Sequence, residues 1–164
     1  MAFIGIVSDH KEFEQIKRKL ANKLKIDDWT IILINANSLE NVKHIKFDTI
    51  IVTKVLLADN QRQFYWQKIG SQARYLIING DIDFSDLLIG SLEAKVITYG
   101  FNPKSTVIAS SVTEENMLID VQRSFPKATG EWVETGERNF SLLENSKPEE
   151  ALIVFIVSLL YQEV

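Results

Sequence analysis

"FIGIVSDHKEFEQIKRKL", residues 3–20, passes across one polar turn from an apolar run to a helical pattern, and that change of period decides the fold. The run, about 2–7, is short and unbroken, as a strand buried on both faces should be. Asp9 stands at the N-cap position with Glu12 three residues on, and Phe13, Ile16, Leu20 and Leu24 then fall on one face of the predicted helix. A strand feeding straight into an amphipathic helix is half of a βαβ unit, so the next question is whether the chain repeats the alternation.

It does. "TIILIN" (30–35), "DTIIVT" (48–53), "RYLIIN" (74–79) and "KVITYG" (95–100) are further short runs rich in β-branched residues. Between them, 61–73 carries Phe64, Trp66 and Ile69 in a helical setting, and 84–92 has room for a short helix ending at Gly90. Phe64, Tyr65 and Trp66 are consecutive and cannot all face a core, which leaves two readings: one of them is an exposed contact residue, or, more commonly for such residues, they are partly buried. From 105 to 140 the character changes: "TVIASSV", "MLIDVQRS", "EWVETG" and "RNFSLL" are separated by polar turns, which predicts hairpins or a meander. Pro148 opens a last helix with Glu149 and Glu150 in its first turn. The expectation is one α/β domain over 1–164, a three-layer, doubly wound, mainly parallel sheet joined by right-handed crossovers, with a small antiparallel subsheet in the C-terminal half.

The 164 residues suffice for one sizeable core, and 46% hydrophobic with 24% charged residues is ordinary globular usage. A formal charge of -4 and no basic run longer than "KRK" argue against a nucleic-acid partner. The absence of cysteine excludes thiolate nucleophiles, disulfides and zinc–sulfur sites, and suits a reducing cytoplasm. No secretory signal pattern is visible, and "ALIVFIVSLLY" (151–161) falls short of the roughly 20 residues that span a bilayer, so neither export nor membrane insertion is expected.

Few residues suggest chemistry. Ser8, Asp9 and His10 are the residue types of a serine triad, but three consecutive residues cannot converge on one another, and a helix cap accounts for them. His10 and His44 are the only histidines, and their spacing suggests no metal site. Asp81, Asp83 and Asp86 follow the strand ending at Asn79, on the side where open α/β sheets bind ligands; they suit either Mg²⁺ or the capping of turns.

Taken in order, "FIGIVSDHKEFEQIKRKL", "FDTIIVTKVLLADN", "YLIINGDID", "AKVITYGFNPKSTVIASSV" and "NSKPEEALIVFIVSLL" resemble the central, ATP-binding domain of the Mur ligases. The most specific piece is the strand ending in Thr-Tyr-Gly, then a polar turn and the first antiparallel strand. The resemblance implies a phosphate-binding Gly-Thr-Asn-Gly-Lys-Thr/Ser after the first strand, where this chain reads "VSDHKEF". There is no glycine for close backbone approach, Asp9 would repel a phosphate, and Lys11 is the nearest stand-in. The family's magnesium-binding Glu aligns with Asn35, and its Thr-Asn-x-x-x-Asp-His reads "TKVLLAD", which puts Lys54, Ala58 and Asp59 at the places of its asparagine, aspartate and histidine. Lys68, in a shortened segment, is the nearest match to the carbamylated lysine, and "ENSKPEE" replaces the Gly-Arg-His-Asn element.

With those parts changed, and with no counterpart here of the family's UDP-substrate and amino-acid domains, the resemblance implies a domain that has lost ligase function. The expected function is a non-catalytic binding or regulatory role, with a protein or small-ligand partner and no cofactor. The candidate ligand-binding residues are Ser8, Asp9, His10, Lys11, Asn35, Asn79, Asp81 and Asp83. The alternative is an enzyme that reuses the cleft at the carboxyl ends of the strands, with His10, Asp9, Asp59 and Asp81 as its groups and ATP and Mg²⁺ as possible ligands. A third expectation, self-association through an exposed apolar patch, concerns assembly rather than chemistry.

Overall fold

A computed structural model describes residues 2–24, 28–54, 60–87, 93–142 and 146–162. The chain runs β1 (Ala2–Val7), α1 (His10–Leu24), β2 (Trp29–Ile34), α2 (Leu39–Val42), β3 (Thr49–Val52), α3 (Asn60–Gly70) and β4 (Tyr75–Asn79). A 3₁₀ turn (Ser85–Leu87), β5 (Lys95–Gly100), β6 (Val107–Val112), β7 (Asn116–Val121), the two-residue strands β8 (Phe125–Pro126) and β9 (Trp132–Val133), β10 (Gly136–Ser141) and α4 (Pro148–Tyr161) complete it. Where the sequence suggests a helix over 84–92, the described part is only that 3₁₀ turn; Gly90 lies outside the described residues.

The strands form one mixed sheet of eight in the order β2-β1-β3-β4-β5-β6-β7-β10, mostly parallel, and β8 pairs with β9 in a separate antiparallel pair. Alternate residues of the parallel strands point to opposite faces. Ile4, Ile6, Ile51, Ile77, Ile97 and Tyr99 pack under α1 and α4, whereas Val7, Ile34, Ile50, Val52, Leu76 and Ile78 pack under α2 and α3. Both sets are apolar, which is why these strands read as unbroken hydrophobic runs. Helix α4 is buried almost all round because it lies on the sheet and also against α1. In β1, Gly5 leaves room for packed neighbours: a Cβ there would sit 2.5 Å from Ile34 Cδ1 and 3.0 Å from the Phe47 ring, so a larger residue would require Ile34 to shift.

The antiparallel strands extend the main sheet, and the joint is unusual. β6 runs parallel to β5 although only residues 101–106 connect them, far fewer than the dozen or so that a crossover needs. The solution is offset: only Tyr99↔Val107 and Gly100↔Ile108 pair, so β6 begins where β5 ends and carries β7 and β10 beyond the carboxyl edge. Side chains replace the missing ladder, with the Thr106 amide donating to Thr98 Oγ1 at 2.9 Å and the Thr98 amide to Thr106 Oγ1 at 3.4 Å. On the α4 face this half is covered through Met117, Ile119 and Val121. On the other face, Ile108, Leu118 and Asp120 are half-buried and Ser110 is exposed, with no helix of the described residues over them. No helix of the described residues is long and apolar enough to cross a membrane.

Candidate functional site

Strand order reverses at β1, whose neighbours are β2 and β3. In open α/β sheets the crevice at such a switch point, outside the carboxyl ends of the strands, is where ligands bind. Here it is built from the residues after β1 and after β3. Ser8 is fully buried, its hydroxyl donating to the Asp9 carbonyl at 2.9 Å. Asp9 caps α1 as its sequence position predicts: its Oδ1 accepts from the Glu12 amide at 2.8 Å.

The other oxygen of Asp9 accepts from Lys54 Nζ at 2.5 Å, and Lys54 lies 3.4 Å from Glu12 Oε2. Thr53 Oγ1 bridges the Val7 carbonyl and Glu12 Oε2, at 3.0 and 2.9 Å. The Lys54 hydrogen bond, followed by the Glu12 amide, holds the Asp9 carboxyl below its ordinary range; the same bond holds Lys54 above its own, against partial desolvation. Next to these groups lies a cleft of about 400 Å³ in which Glu150 completes the acids, itself ion-paired with Lys19 where both side chains are 6% exposed. Every carboxylate of this crevice therefore has an ammonium partner, while Lys11, Arg18 and Lys147 line its rim.

The consequence is electrostatic. Backbone N–H groups at a helix N-terminus attract anions. At α1 that role is filled by the chain's own Asp9, and Glu12 adds a second negative charge beside Lys54. His10 and Lys11 are exposed on the first turn of α1.

The remaining candidates are turn residues. Asn35 closes the end of β2: its Oδ1 accepts from the amides of Asn37 and Ser38 at 2.9 and 3.0 Å. Asn79 Oδ1 accepts from the Asp81 amide at 2.9 Å, and its Nδ2 reaches the Thr53 carbonyl at 3.5 Å, a link from this loop to the switch-point crevice. Asp81 turns away to the next loop, where its carboxylate accepts from the amides of Phe101 (2.9 Å) and Asn102 (2.7 Å). Its closeness explains Gly100: the glycine has φ +142°, and a Cβ there would collide with the Asp81 carboxylate. Asp83 accepts from the Ser85 amide and hydroxyl at 3.0 and 2.7 Å, and those bonds hold its carboxyl below the ordinary range. Of the two readings of the acidic loop, turn capping is the one with partners in place, and no group of three or more His, Cys, Asp or Glu among the described residues is arranged to hold a metal.

Of the predicted residues, Asp9 and Lys11 thus line one crevice, with Ser8 buried behind it and Asn79 joined to it through the Thr53 carbonyl, whereas Asp81 and Asp83 belong to a neighbouring loop and Asn35 to the end of β2. Asp59, invoked for an enzyme, and Ala58 lie outside the described residues. Thr53 and Glu12, the partners that complete the network, were not among the candidates; the signal for Thr53 was its place directly after an apolar run, at the carboxyl end of a central strand. Comparison with protein-family models matches none of them to this chain, and a search of curated proteins finds no match.

Proposed function

We propose that the chain is a Mur-ligase-like α/β domain that binds rather than catalyses, with a binding or regulatory role. One observation carries the reading: the position at the N-terminus of α1 where a ligase of that kind would hold its nucleotide phosphates is occupied by Asp9, locked to Lys54. A phosphate entering there would meet two carboxylates within reach of a single ammonium. Asp81, which the family likeness would assign to ligand contact, is engaged by backbone amides. The same motifs that support the likeness, "YLIINGDID" and "AKVITYGFNPKSTVIASSV", form β4, β5, β6 and the loops at the carboxyl ends of β4 and β5.

Isothermal titration of Mg-ATP and ADP, paired with a phosphate-release assay, tests the proposal. The expected result is no heat of binding and no turnover. Micromolar Mg-ATP binding, with amide shifts over residues 9–13, would overturn it and bring the enzyme reading forward.

A further inference from the structure

A second cleft, of about 580 Å³, opens at the carboxyl edge two strands away from the switch point, between the loop after β4 and the 102–106 turn. That volume lies within the range of small-molecule sites. The offset between β5 and β6 creates it, because the turn stands off the sheet on the face that α2 and α3 leave uncovered.

Its polar groups differ from those of the first crevice. Lys104 and Arg123 both line it, and neither has a carboxylate partner among the described residues; the Arg123 guanidinium donates to the Lys104 carbonyl and keeps further N–H donors. The lone acid, Asp83, is already engaged by Ser85. Thr98 and Thr106 approach hydroxyl to hydroxyl at 3.3 Å. Two hydroxyls sharing one hydrogen bond use one of their two protons, which leaves one O–H for an outside acceptor.

Ser105 gives an independent indication. It lines the same cleft, is 2% exposed, and its Oγ has no hydrogen-bond partner. The hydroxyl occupies the space a Cβ at residue 80 would need, so Gly80 makes room for it. An unpaired buried hydroxyl is costly, and such groups in a native structure call for an explanation. Ile82, Phe84 and Val96 supply an apolar wall.

We infer that this cleft binds a small molecule bearing one oxyanion, a phosphate or a carboxylate, on a compact apolar body, with Lys104 and Arg123 facing the charge and the Thr98–Thr106 pair donating to it. The inference names a ligand class for the binding role proposed above and uses a different site. Its failure is therefore distinguishable from failure of that proposal.

The test is an amide NMR titration of the whole chain with phenyl phosphate, with benzoate, and with phenol as the uncharged control. Shifts are expected at Gly80, Asn102, Ser105 and Thr106 with one or both anions and not with phenol; comparing phenyl phosphate with benzoate identifies the oxyanion. Lys104→Gln should weaken binding about tenfold, equivalent to roughly 1.4 kcal/mol. Arg123 also supports the turn, so Arg123→Lys, which keeps the charge, accompanies Arg123→Gln and should retain more of the affinity. The inference is overturned if these amides do not move, if phenol moves them equally, or if Lys104→Gln binds as the parent does.

Discussion

The two clefts at the carboxyl edge share one scaffold and handle charge in opposite ways. At the switch point, Asp9 and Glu12 share Lys54, Glu150 pairs with Lys19, and the helix terminus is filled from within. Two strands along, Lys104 and Arg123 have no acid partner among the described residues, and a buried hydroxyl has no partner there at all. In the first, every lining acid and the helix terminus are already engaged, although Lys11, Arg18 and Lys147 stand at the rim; in the second, the cations lie beside a buried hydroxyl that has no partner among the described residues. The contrast teaches that the position favoured by topology need not be the position left open by chemistry.

Removing one charge from the paired cleft should have the largest effect. Glu150→Ala strands Lys19 in a site where both side chains are 6% exposed, and breaking such a pair costs about 3–5 kcal/mol. Urea unfolding measures the loss. The double variant Lys19→Met with Glu150→Leu should recover most of it, since a well-packed apolar pair replaces a buried ion pair at little cost. If the single variant is neutral, the pair is not buried as described and the contrast weakens.

In the second cleft the analogous change is steric. Gly80→Ala drives a methyl group into the Ser105 hydroxyl, and overpacking of this kind costs about 1–3 kcal/mol. Ser105→Ala alone should be neutral or slightly stabilising, because it removes a buried polar atom without a partner. Combining the two should rescue the first. Thermal unfolding of the three variants as a double-mutant cycle measures the coupling, and additive losses would show that the two residues do not share that space.

These residues also mark the limit of what the sequence discloses. The parallel half was readable because burial on both faces leaves unbroken apolar runs, and because Asp9 and Glu12 sit at cap spacing. Trp66 and Ile69 took the core and Phe64 the exposed position, 63% accessible, yet nothing in "FYW" says which of the three would turn outward. The offset joint after β5 was hidden, since "TVIASSV" pairs with one neighbour parallel and with the other antiparallel, and no local pattern encodes both. The same holds for the second cleft. Lys104 and Arg123 are 19 residues apart, and only the route of β6 and β7 brings them together. At the first cleft the individual residues were legible, but the pairing of Asp9 with Lys54 across 45 residues was not.

Acid titration examines the pairing without disturbing packing. The folded pKa of Asp9 lies below its ordinary value of 3.8, so the stabilisation from its bonds to Lys54 and the Glu12 amide is fully present above that value and is lost as pH falls through the lower, folded one. The melting temperatures of the parent and Asp9→Asn should therefore differ by a constant amount near neutrality and converge below about pH 4. For Lys54 the sense is reversed: its folded pKa lies above 10.5, and its contribution is present below 10.5 and lost as pH rises through the folded value. A gap between parent and Asp9→Asn that does not narrow as pH falls through the acid range would mean that Asp9 acts through geometry alone.

The smallest stability effect should come from Lys104→Gln, an exposed change with no acid partner to lose, within about 0.5 kcal/mol of the parent. That near-neutrality is what makes the variant decisive. A residue that contributes little to folding while controlling oxyanion affinity is serving a ligand, whereas Glu150, whose loss is costly to the fold, is serving the structure. If Lys104→Gln instead destabilises the chain by as much as Gly80→Ala, its charge is part of the fold. The two clefts would then differ in degree of exposure rather than in purpose.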